Sequence, residues 1–348
     1  MVRTLRLVCL LVLLCALPLS ALAVPNPQSG KEIDRATWTP SIEVIKINNY
    51  MLAFYDGRDI AGDPPFGKSY DNWIYWGAMN LGLATYVIHQ GDTALVYDTM
   101  TVPEQAVWIR DYLEKMGIKK FIVVLSHSHN DHIAGNEVFK KAGADIIACK
   151  KTREYLIRDK DSIEGGYYRN VPDAPAINPV ILPNIIFDDN LTVYVGNIQV
   201  DILRYNIHSE DGSLLYLPAD KILLSGDMLE DTVTYISNPG DIADHIAEMK
   251  RLYQLDFNVI YPNHGSPDKI KNGGFNKTLI DATINYISKL VKHSHDKDFI
   301  EKNSDLKTFI KEDLDKGTVI YFPAYQETHE SNLKKVQKYY KDKKLPKL

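Results

Sequence analysis

One stretch decides how this chain folds, residues 121–132, with the sequence FIVVLSHSHNDH. Residues 121–125 are a short, continuous apolar run, which is typical of a β-strand buried on both faces. Three imidazoles and one carboxylate then follow within residues 127–132, before a predicted helix at about residues 133–142. A buried strand, a polar loop and a helix in this order predict an α/β fold with a metal site where the strand ends.

Strand and helix patterns alternate on both sides of this stretch. Two β-rich runs, residues 84–90 and 93–98, flank a hairpin signal at Gly91 and Asp92, and a helix is predicted to end at Gly117. Further strands are predicted at residues 145–149, 191–195, 198–205, 213–217, 222–224 and 259–261. This order predicts an α/β sandwich.

The chain divides into four segments. Residues 1–23 are predicted to be a signal peptide, residues 24–75 a leader and strands, residues 76–270 the main domain, and residues 271–348 a helical C-terminal extension. Two roles stay open for the extension, a cap on the domain or a packing surface for a partner such as a second copy of the chain. Residues 159–183 contain four prolines and a Gly-Gly pair, so we expect a long loop there.

The N-terminal segment has the layout of a secretory signal peptide. Arg3 and Arg6 precede an apolar run at residues 7–17, and a small-x-small cleavage site follows at residues 21–23. The alternative, a membrane anchor, is disfavoured because a spanning helix needs about 20 apolar residues. We therefore expect a periplasmic or secreted protein without a membrane anchor.

The charge of the chain argues against a nucleic-acid partner. The formal net charge is -5, and removing residues 1–23, which carry Arg3 and Arg6 and no acid, lowers it to -7. An acidic chain without a basic run is poorly suited to bind nucleic acid. We expect a small-molecule substrate instead. Cys149 is the one cysteine outside the predicted signal peptide, and we expect it to be a small buried side chain.

Three more candidate metal ligands lie later in the chain. His208, Asp227 and His264 each follow a predicted strand, at the position where α/β folds place their sites. Histidine and carboxylate ligands suit zinc, iron(II) or manganese(II). The alternative is that the histidines decorate a loop and that Asp131 caps the following helix. The three later residues make that alternative the weaker one.

These motifs resemble the metallo-β-lactamase superfamily over about residues 84–267. The H-x-H-x-D-H segment, the later His, the Gly-Asp at residues 226–227 and the Asn-His-Gly at residues 263–265 occur in the family's order and rough spacing. The resemblance implies an αββα sandwich with two metals at one edge of its sheets. The implied ligands are His127, His129 and His208 for the first metal, Asp131, His132 and His264 for the second, and Asp227 for both.

The resemblance has one further match and two departures. Asp98 matches a family aspartate that braces the metal loop. The loop after His208 is one residue longer than is common in the family, and Thr99 and Met100 replace the usual glycine after the aspartate. The departures leave the ligand set in place and change the expected shape of the site.

The resemblance implies a hydrolase with two divalent metal ions, zinc first, with iron or manganese open. Two ions that share a water lower its pKa to about 7, so a metal-bridging hydroxide would attack the substrate. Asp131 would orient that hydroxide or pass a proton to the leaving group. The expected substrate is an ester, a lactone or a thioester.

Other functions stay open. A β-lactamase is the first alternative, although the thiolate-containing subclasses carry Cys near Asp227 and the thiol-free subclass generally lacks this bridging aspartate. An iron-dependent sulfur dioxygenase shares most of the ligand motif. The well-known lactonases of the family have Tyr where Glu230 stands. Metal binding without catalysis is disfavoured because all seven ligand positions are filled.

Two aromatic segments are candidates for substrate contact, residues 66–76 and 165–168, and the alternative is that they pack as core or lid. The remaining histidines are expected to lie on the surface or to have local partners: His89, His245, His293, His295 and His329.

Overall fold

The computed structural model describes residues 42–58, 81–166 and 177–348, with Pro40 and the backbone of two N-terminal strands. The predicted hydrophobic core of the signal peptide, the aromatic segment at residues 66–76 and the pair at residues 167–168 lie outside the described residues.

The described strands form three sheets. The first is a pair of antiparallel strands, β1 (Ala23–Asn26) and β2 (Lys31–Asp34). Strand β1 begins at the last residue of the predicted signal peptide, and the rest of the pair lies in the segment predicted to be a leader and strands. The second contains, in spatial order, β3 (Glu43–Lys46), β4 (Met51–Asp56), β5 (Leu83–Gln90), β6 (Thr93–Tyr97), β7 (Lys120–Val124), β8 (Asp145–Cys149) and β9 (Ile185–Phe187). The third contains β10 (Asn190–Val195), β11 (Ile198–Arg204), β12 (Ser213–Leu217), β13 (Ile222–Gly226) and β14 (Val259–Pro262).

The helices cover the outer faces of the two large sheets. In chain order they are α1 (Pro103–Lys115), α2 (Asn130–Ile133), α3 (Asn136–Lys141), α4 (Lys150–Glu164), α5 (Ile242–Arg251), α6 (Pro267–Lys271), α7 (Thr278–Lys292), α8 (Lys297–Lys302), α9 (Leu306–Phe309), α10 (Lys311–Asp315) and α11 (Tyr325–Tyr340). Among the residues that the structure describes, no helix combines the length and the apolar character that crossing a membrane requires.

The buried side chains form three clusters, which define four layers. One cluster fills the space between the two large sheets, and β5 contributes Ala84, Tyr86 and Ile88 to it. The neighbouring residues of β5, such as Val87, point to the opposite face and pack against α1, α3 and α4, because successive side chains of a strand alternate. The third cluster joins the five-stranded sheet to α5, α7 and α11. The predicted αββα sandwich with a helical C-terminal extension is confirmed.

The structure corrects two local predictions and excludes the alternative role of Asp131 as a helix cap. The helix predicted at residues 133–142 is two short helices, α2 and α3, that meet at Gly135. A Cβ on Gly135 would lie 2.2 Å from the Cβ of Ala106, so this junction lies directly against α1. Helix α2 begins at Asn130, so Asp131 lies in its first turn and is not its N-cap. The loop predicted from residue 159 instead begins as the last part of α4.

A buried ion pair ties four parts of the chain together. Arg58, which follows β4, donates from both Nη atoms to the carboxylate of Asp231 at 2.7 and 2.8 Å. The same carboxylate accepts the backbone N–H of Ser266 at 2.9 Å, and the guanidinium lies 4.2 Å from the ring centre of Phe322 in the C-terminal extension. The side chains of Arg58 and Asp231 are 5% and 0% exposed, so solvent screens this pair little.

We expect Arg58→Ala to lower the free energy of unfolding by about 3–5 kcal/mol, because it leaves the charge of Asp231 buried without its partner. Arg158 offers a matched control, because it forms an ion pair with Asp159 in which the two side chains are 62% and 39% exposed. Arg158→Ala should cost about 0–1 kcal/mol. Urea unfolding of the three proteins measures the difference, and equal losses in both variants would contradict the role given to Arg58.

Candidate metal centre

The seven predicted ligands come from the segments that follow four strands of the two large sheets. The ligands at residues 127–132 follow β7, His208 follows β11, Asp227 follows β13 and His264 follows β14. In the five-stranded sheet β12 is antiparallel to both β11 and β13, and β13 is parallel to β14, so β11, β13 and β14 end at the same edge of that sheet. The structure brings all seven side chains together there, in two groups that share Asp227.

The first group consists of three imidazoles and one carboxylate. Nδ1 of His129 lies 2.8 Å from Nε2 of His127 and 3.1 Å from Nε2 of His208. Oδ2 of Asp227 lies 3.7 Å from Nε2 of His127 and 3.9 Å from Nε2 of His208. Ring nitrogens this close together must either share hydrogens or direct their lone pairs at one cation.

The second group contains two imidazoles and two carboxylates. Oδ2 of Asp131 lies 3.3 Å from Nε2 of His132 and 3.2 Å from Nε2 of His264. Oδ2 of Asp227 lies 3.0 and 3.4 Å from the same two nitrogens. One oxygen of Asp227 therefore faces both groups. Its other oxygen, Oδ1, is buried and has no hydrogen-bond partner among the described residues.

The donor atoms fit divalent metal ions. Within each group the ligand atoms all lie within 4.8 Å of one another, and most of their side chains are buried. Nitrogen and carboxylate oxygen are donors that zinc, iron(II) and manganese(II) accept. The orphaned Oδ1 of Asp227 is a further polar atom whose burial is unfavourable without a partner.

Three histidines have a partner at the ring nitrogen that faces away from the groups, and for two of them this partner sets the tautomer. His132 Nδ1 lies 2.9 Å from Oδ2 of Asp98, and His264 Nδ1 lies 2.7 Å from the carbonyl oxygen of Gly82. His208 Nδ1 lies 3.4 Å from Oγ1 of Thr234. The acceptors beside His132 and His264 require a hydrogen on Nδ1, which leaves Nε2 as the lone pair for a metal.

Asp98 braces three parts of the site. Its Oδ1 accepts the backbone N–H of Ser126 at 2.7 Å, and its Oδ2 accepts from the side-chain amide of Asn263 at 2.6 Å as well as from His132. The backbone of Asp98 has φ +65°, in the left-handed region. The residue after it, Thr99, also contacts the metal loop, because its N–H donates to the carbonyl oxygen of His132 at 2.9 Å. This contact lies where Thr99 departs from the family pattern.

The longer loop after His208 also contacts the metal loop. Asp211 accepts the backbone N–H of Ser128, which lies between two predicted ligands, at 2.8 Å. The carbonyl oxygen of Asp211 accepts from the hydroxyl of Thr152 at 3.1 Å, which joins the loop to α4. The longer loop therefore supplies a carboxylate that fixes residues 127–129 against the His208 loop.

The electrostatics differ between the two groups. Burial lowers the pKa of His208 to about 3, and burial together with the neighbouring imidazoles holds the pKa of His127 well below its usual value. In the second group burial opposes charge, but the carboxylates of Asp227 and Asp131 outweigh it and raise the pKa of His132 well above 6.5. The pKa of His264 is raised in the same way. His127 and His208 of the first group are therefore neutral imidazoles, whereas His132 and His264 of the second group form ion pairs with the carboxylates.

Sequence reasoning did not identify several residues that surround the ligands. Thr234 and Asp211 belong to no recognisable sequence motif, and only their contacts with His208 and Ser128 show that they support the site. Glu230 was noted only as a difference from the lactonases, and it is 2% exposed. Burial and the nearby charge of Asp227 raise the pKa of the Glu230 carboxyl to about 8. Tyr235 is half-buried, and its ring centre lies 6.1 Å from that of His208.

Four of the remaining histidines have the local partners expected of them. Nδ1 of His245 lies 2.6 Å from the carbonyl oxygen of Asn206, and Nδ1 of His329 lies 3.1 Å from the hydroxyl of Tyr286. His295 contacts the C-terminal helix through the carbonyl oxygen of Tyr340, at 2.6 Å. His293 stacks on Phe299 with ring centres 3.7 Å apart. None of these histidines belongs to the two ligand groups.

Comparison with known proteins agrees with this architecture. The metallo-beta-lactamase type 2 of Elizabethkingia meningoseptica is 26% identical over 118 residues, which cover 34% of this chain and 40% of that protein. The match thus spans about two fifths of that relative's length.

Two solved structures share the fold. A metallo-beta-lactamase from Pontibacter korlensis superposes with a TM-score of 0.52 at 18% identity, over 71% of this chain and 99% of that chain. The DIM-1 metallo-beta-lactamase has a TM-score of 0.54 at 14% identity, over 72% and 99%. At these identities the likeness shows the fold alone.

The family model described as the metallo-beta-lactamase superfamily matches residues 81–264, which is more than half of the chain and contains every predicted ligand. This chain belongs to the metallo-beta-lactamase superfamily.

Proposed function

We propose that this chain is an exported hydrolase that depends on two divalent metal ions, most simply zinc. The observation that carries the proposal is the shared Asp227. Its Oδ2 lies within 3.9 Å of four imidazole nitrogens, two from each group, as a ligand that bridges two ions would. Export rests on the signal-peptide pattern of residues 1–23.

The residues present assign a ligand set to each ion. His127, His129 and His208 would hold the first ion, Asp131, His132 and His264 would hold the second, and Asp227 would contact both. When bound, such a pair lowers the pKa of a shared water to about 7 and polarises a carbonyl or phosphoryl oxygen of the substrate.

The exposure of the ligands indicates where a substrate enters. The side chain of Asp131 is 20% exposed, against 5% for Asp227 and 3% for His264. His129 is also half-buried, whereas His127 and His132 are buried. The open side of the site is therefore formed by residues 128–131. A substrate that reaches the groups from this side meets Asp131 first.

Asp131 is the residue best placed to handle protons. Its contacts to His132 and His264 use Oδ2, which leaves Oδ1 to orient the attacking water or to pass a proton to the leaving group. Both imidazoles, acting against the effect of burial, hold the pKa of Asp131 well below its usual value. The carboxylate is therefore ionised at neutral pH and can accept a proton.

An ester, a lactone or a thioester is the substrate class that we propose first. A β-lactam is the second candidate, because the Elizabethkingia meningoseptica relative and the two similar solved structures are named as metallo-beta-lactamases. Asp227 argues against a β-lactam substrate, because the β-lactamase subclasses carry Cys near this position or generally lack the bridging aspartate.

Elemental analysis of the purified protein, followed by assays on ester, lactone, thioester, β-lactam and phosphodiester substrates, tests this proposal. We expect two zinc ions per chain and turnover of a carbonyl substrate, with loss of activity on chelation and recovery on adding metal. One iron per chain with oxygen consumption would identify a dioxygenase instead. The mass of the exported chain should correspond to a start at Val24.

We expect Asp131→Ala and His129→Ala to abolish turnover while the fold is retained. Loss of the proton-handling carboxylate alone costs on the order of 10²–10⁴-fold in kcat/KM, and His129→Ala removes one of the three imidazoles of the first group. Asp268→Ala is the matched control, because the Asp268 side chain is 84% exposed and lies outside both groups. Steady-state kinetics, with circular dichroism to verify folding, measures the effect. Unchanged activity in either site variant would count against the mechanism.

Metal binding should release protons at pH 7. His132 and His264 have pKa values well above 6.5 in the metal-free protein, and they bind a metal only as neutral imidazoles. Metal affinity should therefore fall as the pH is lowered. Titration calorimetry in two buffers of different ionisation enthalpy measures the released protons, and identical apparent enthalpies in the two buffers would contradict this expectation.

A further inference from the structure

We propose that helix α11 of the C-terminal extension positions one ligand of the metal centre. In this arrangement Asn332 is a positioning residue for Thr234, and Thr234 fixes the ring of His208. The inference rests on the proposed function, because it takes His208 to be a metal ligand. It assigns a role to a segment that lies outside the residues matched by the family model.

The first step is the clamp that Asn332 makes. Its side-chain amide Nδ2 donates to the carbonyl oxygen of Thr234 at 2.9 Å, and its Oδ1 accepts the backbone N–H of Ile236 at 2.9 Å. Asn332 is fully buried, so these contacts do not compete with water. The hydroxyl of Tyr286 lies 3.1 Å from the same Nδ2 and holds the amide from the other side. Residues 234–236 are thereby held at both ends by one side chain of α11.

The second step is the hydroxyl of Thr234. It donates to the carbonyl oxygen of Asp227 at 3.0 Å, and this uses its single hydrogen. Toward His208 the hydroxyl can then act only as an acceptor, so Nδ1 of His208, at 3.4 Å, must carry the hydrogen. That tautomer places the lone pair of His208 on Nε2, the nitrogen that faces His129 and Asp227. One hydroxyl thus contacts two of the predicted ligand residues.

The third step compares the support of His208 with the supports of the other two histidines, which come from a different part of the chain. His132 is held by Asp98 and His264 by Gly82, and both supports lie within residues 81–264. Thr234 also lies in that range, but the segment that carries it packs against the extension. Besides the clamp, the hydroxyl of Thr232 donates to the carbonyl oxygen of Ile320 at 2.6 Å. The position of His208 therefore depends on the C-terminal extension.

Metal affinities of the full chain test this inference. Wild type, Thr234→Val, Thr234→Ser, Asn332→Ala and the double variant Thr234→Val/Asn332→Ala are titrated with zinc in competition with a chromophoric chelator. Thr234→Val and Asn332→Ala should each weaken one of the two sites by about 10–100-fold. Thr234→Ser keeps the hydroxyl and should bind like wild type. The double variant should be no weaker than Thr234→Val alone, because both changes break one linkage.

Asn303→Ala separates metal positioning from general destabilisation. Asn303 lies in the same extension, and its side chain donates to the carbonyl oxygen of Phe299 at 2.8 Å, away from residues 234–236. We expect it to lose stability without a change in zinc affinity. If Asn332→Ala does not fold, Asn332→Asp takes its place, since it keeps the Oδ1 acceptor and removes the Nδ2 donor.

The failure of this inference can be told apart from that of the proposed function. Two zinc ions bound by wild type, with unchanged affinities in Thr234→Val and in the Asn332 variant, would overturn the role of α11 and leave the metal centre intact. Additive losses in the double variant would also overturn it, because they would show two independent effects. A wild-type chain that binds no zinc would refute the proposed function, and the inference with it.

Discussion

The candidate metal centre depends on the Asp227 carboxylate, which is buried between four imidazoles at one edge of two β-sheets. A buried carboxylate is unfavourable unless it has partners of opposite charge or a metal ion. Here one of its oxygens faces both ligand groups and the other has no partner among the described residues. The proposed pair of metal ions would satisfy both requirements, and the residues that are costly to bury would then serve as its ligands.

The surroundings of the site follow from the need to keep these side chains in place. Asp98 and Asp211 fix the metal loop through its backbone N–H groups, from one sheet and from the His208 loop. The Arg58–Asp231 pair joins the segment after β4, the loops that carry Asp227 and His264, and the extension. Each support is a buried, charge-assisted contact, which is the strongest kind that protein side chains offer. The packed layers of the sandwich form a rigid framework, and the segments that follow its strands carry the candidate ligands.

Much of this arrangement could be predicted from local patterns. The apolar run at residues 121–125 and the polar residues after it indicated a strand with ligands at its end, and the order of later strands indicated the sandwich. The predictions failed where a tertiary contact overrode a local pattern. The predicted helix is interrupted at Gly135, where Ala106 leaves no room for a side chain. The prolines and glycines of residues 159–183 suggested a loop, although α4 continues to Glu164.

The amino-acid sequence by itself determined the family, the sandwich and the candidate ligands, because these depend on hydrophobic periodicity and on short motifs at strand ends. Only the tertiary structure decided what holds the ligands in place. Thr234 and Asn332 lie 98 positions apart, and the hydrogen bond that joins them has no counterpart in any local pattern. A hydrogen bond depends on distance and direction in space, and those exist only after the extension has packed against the domain.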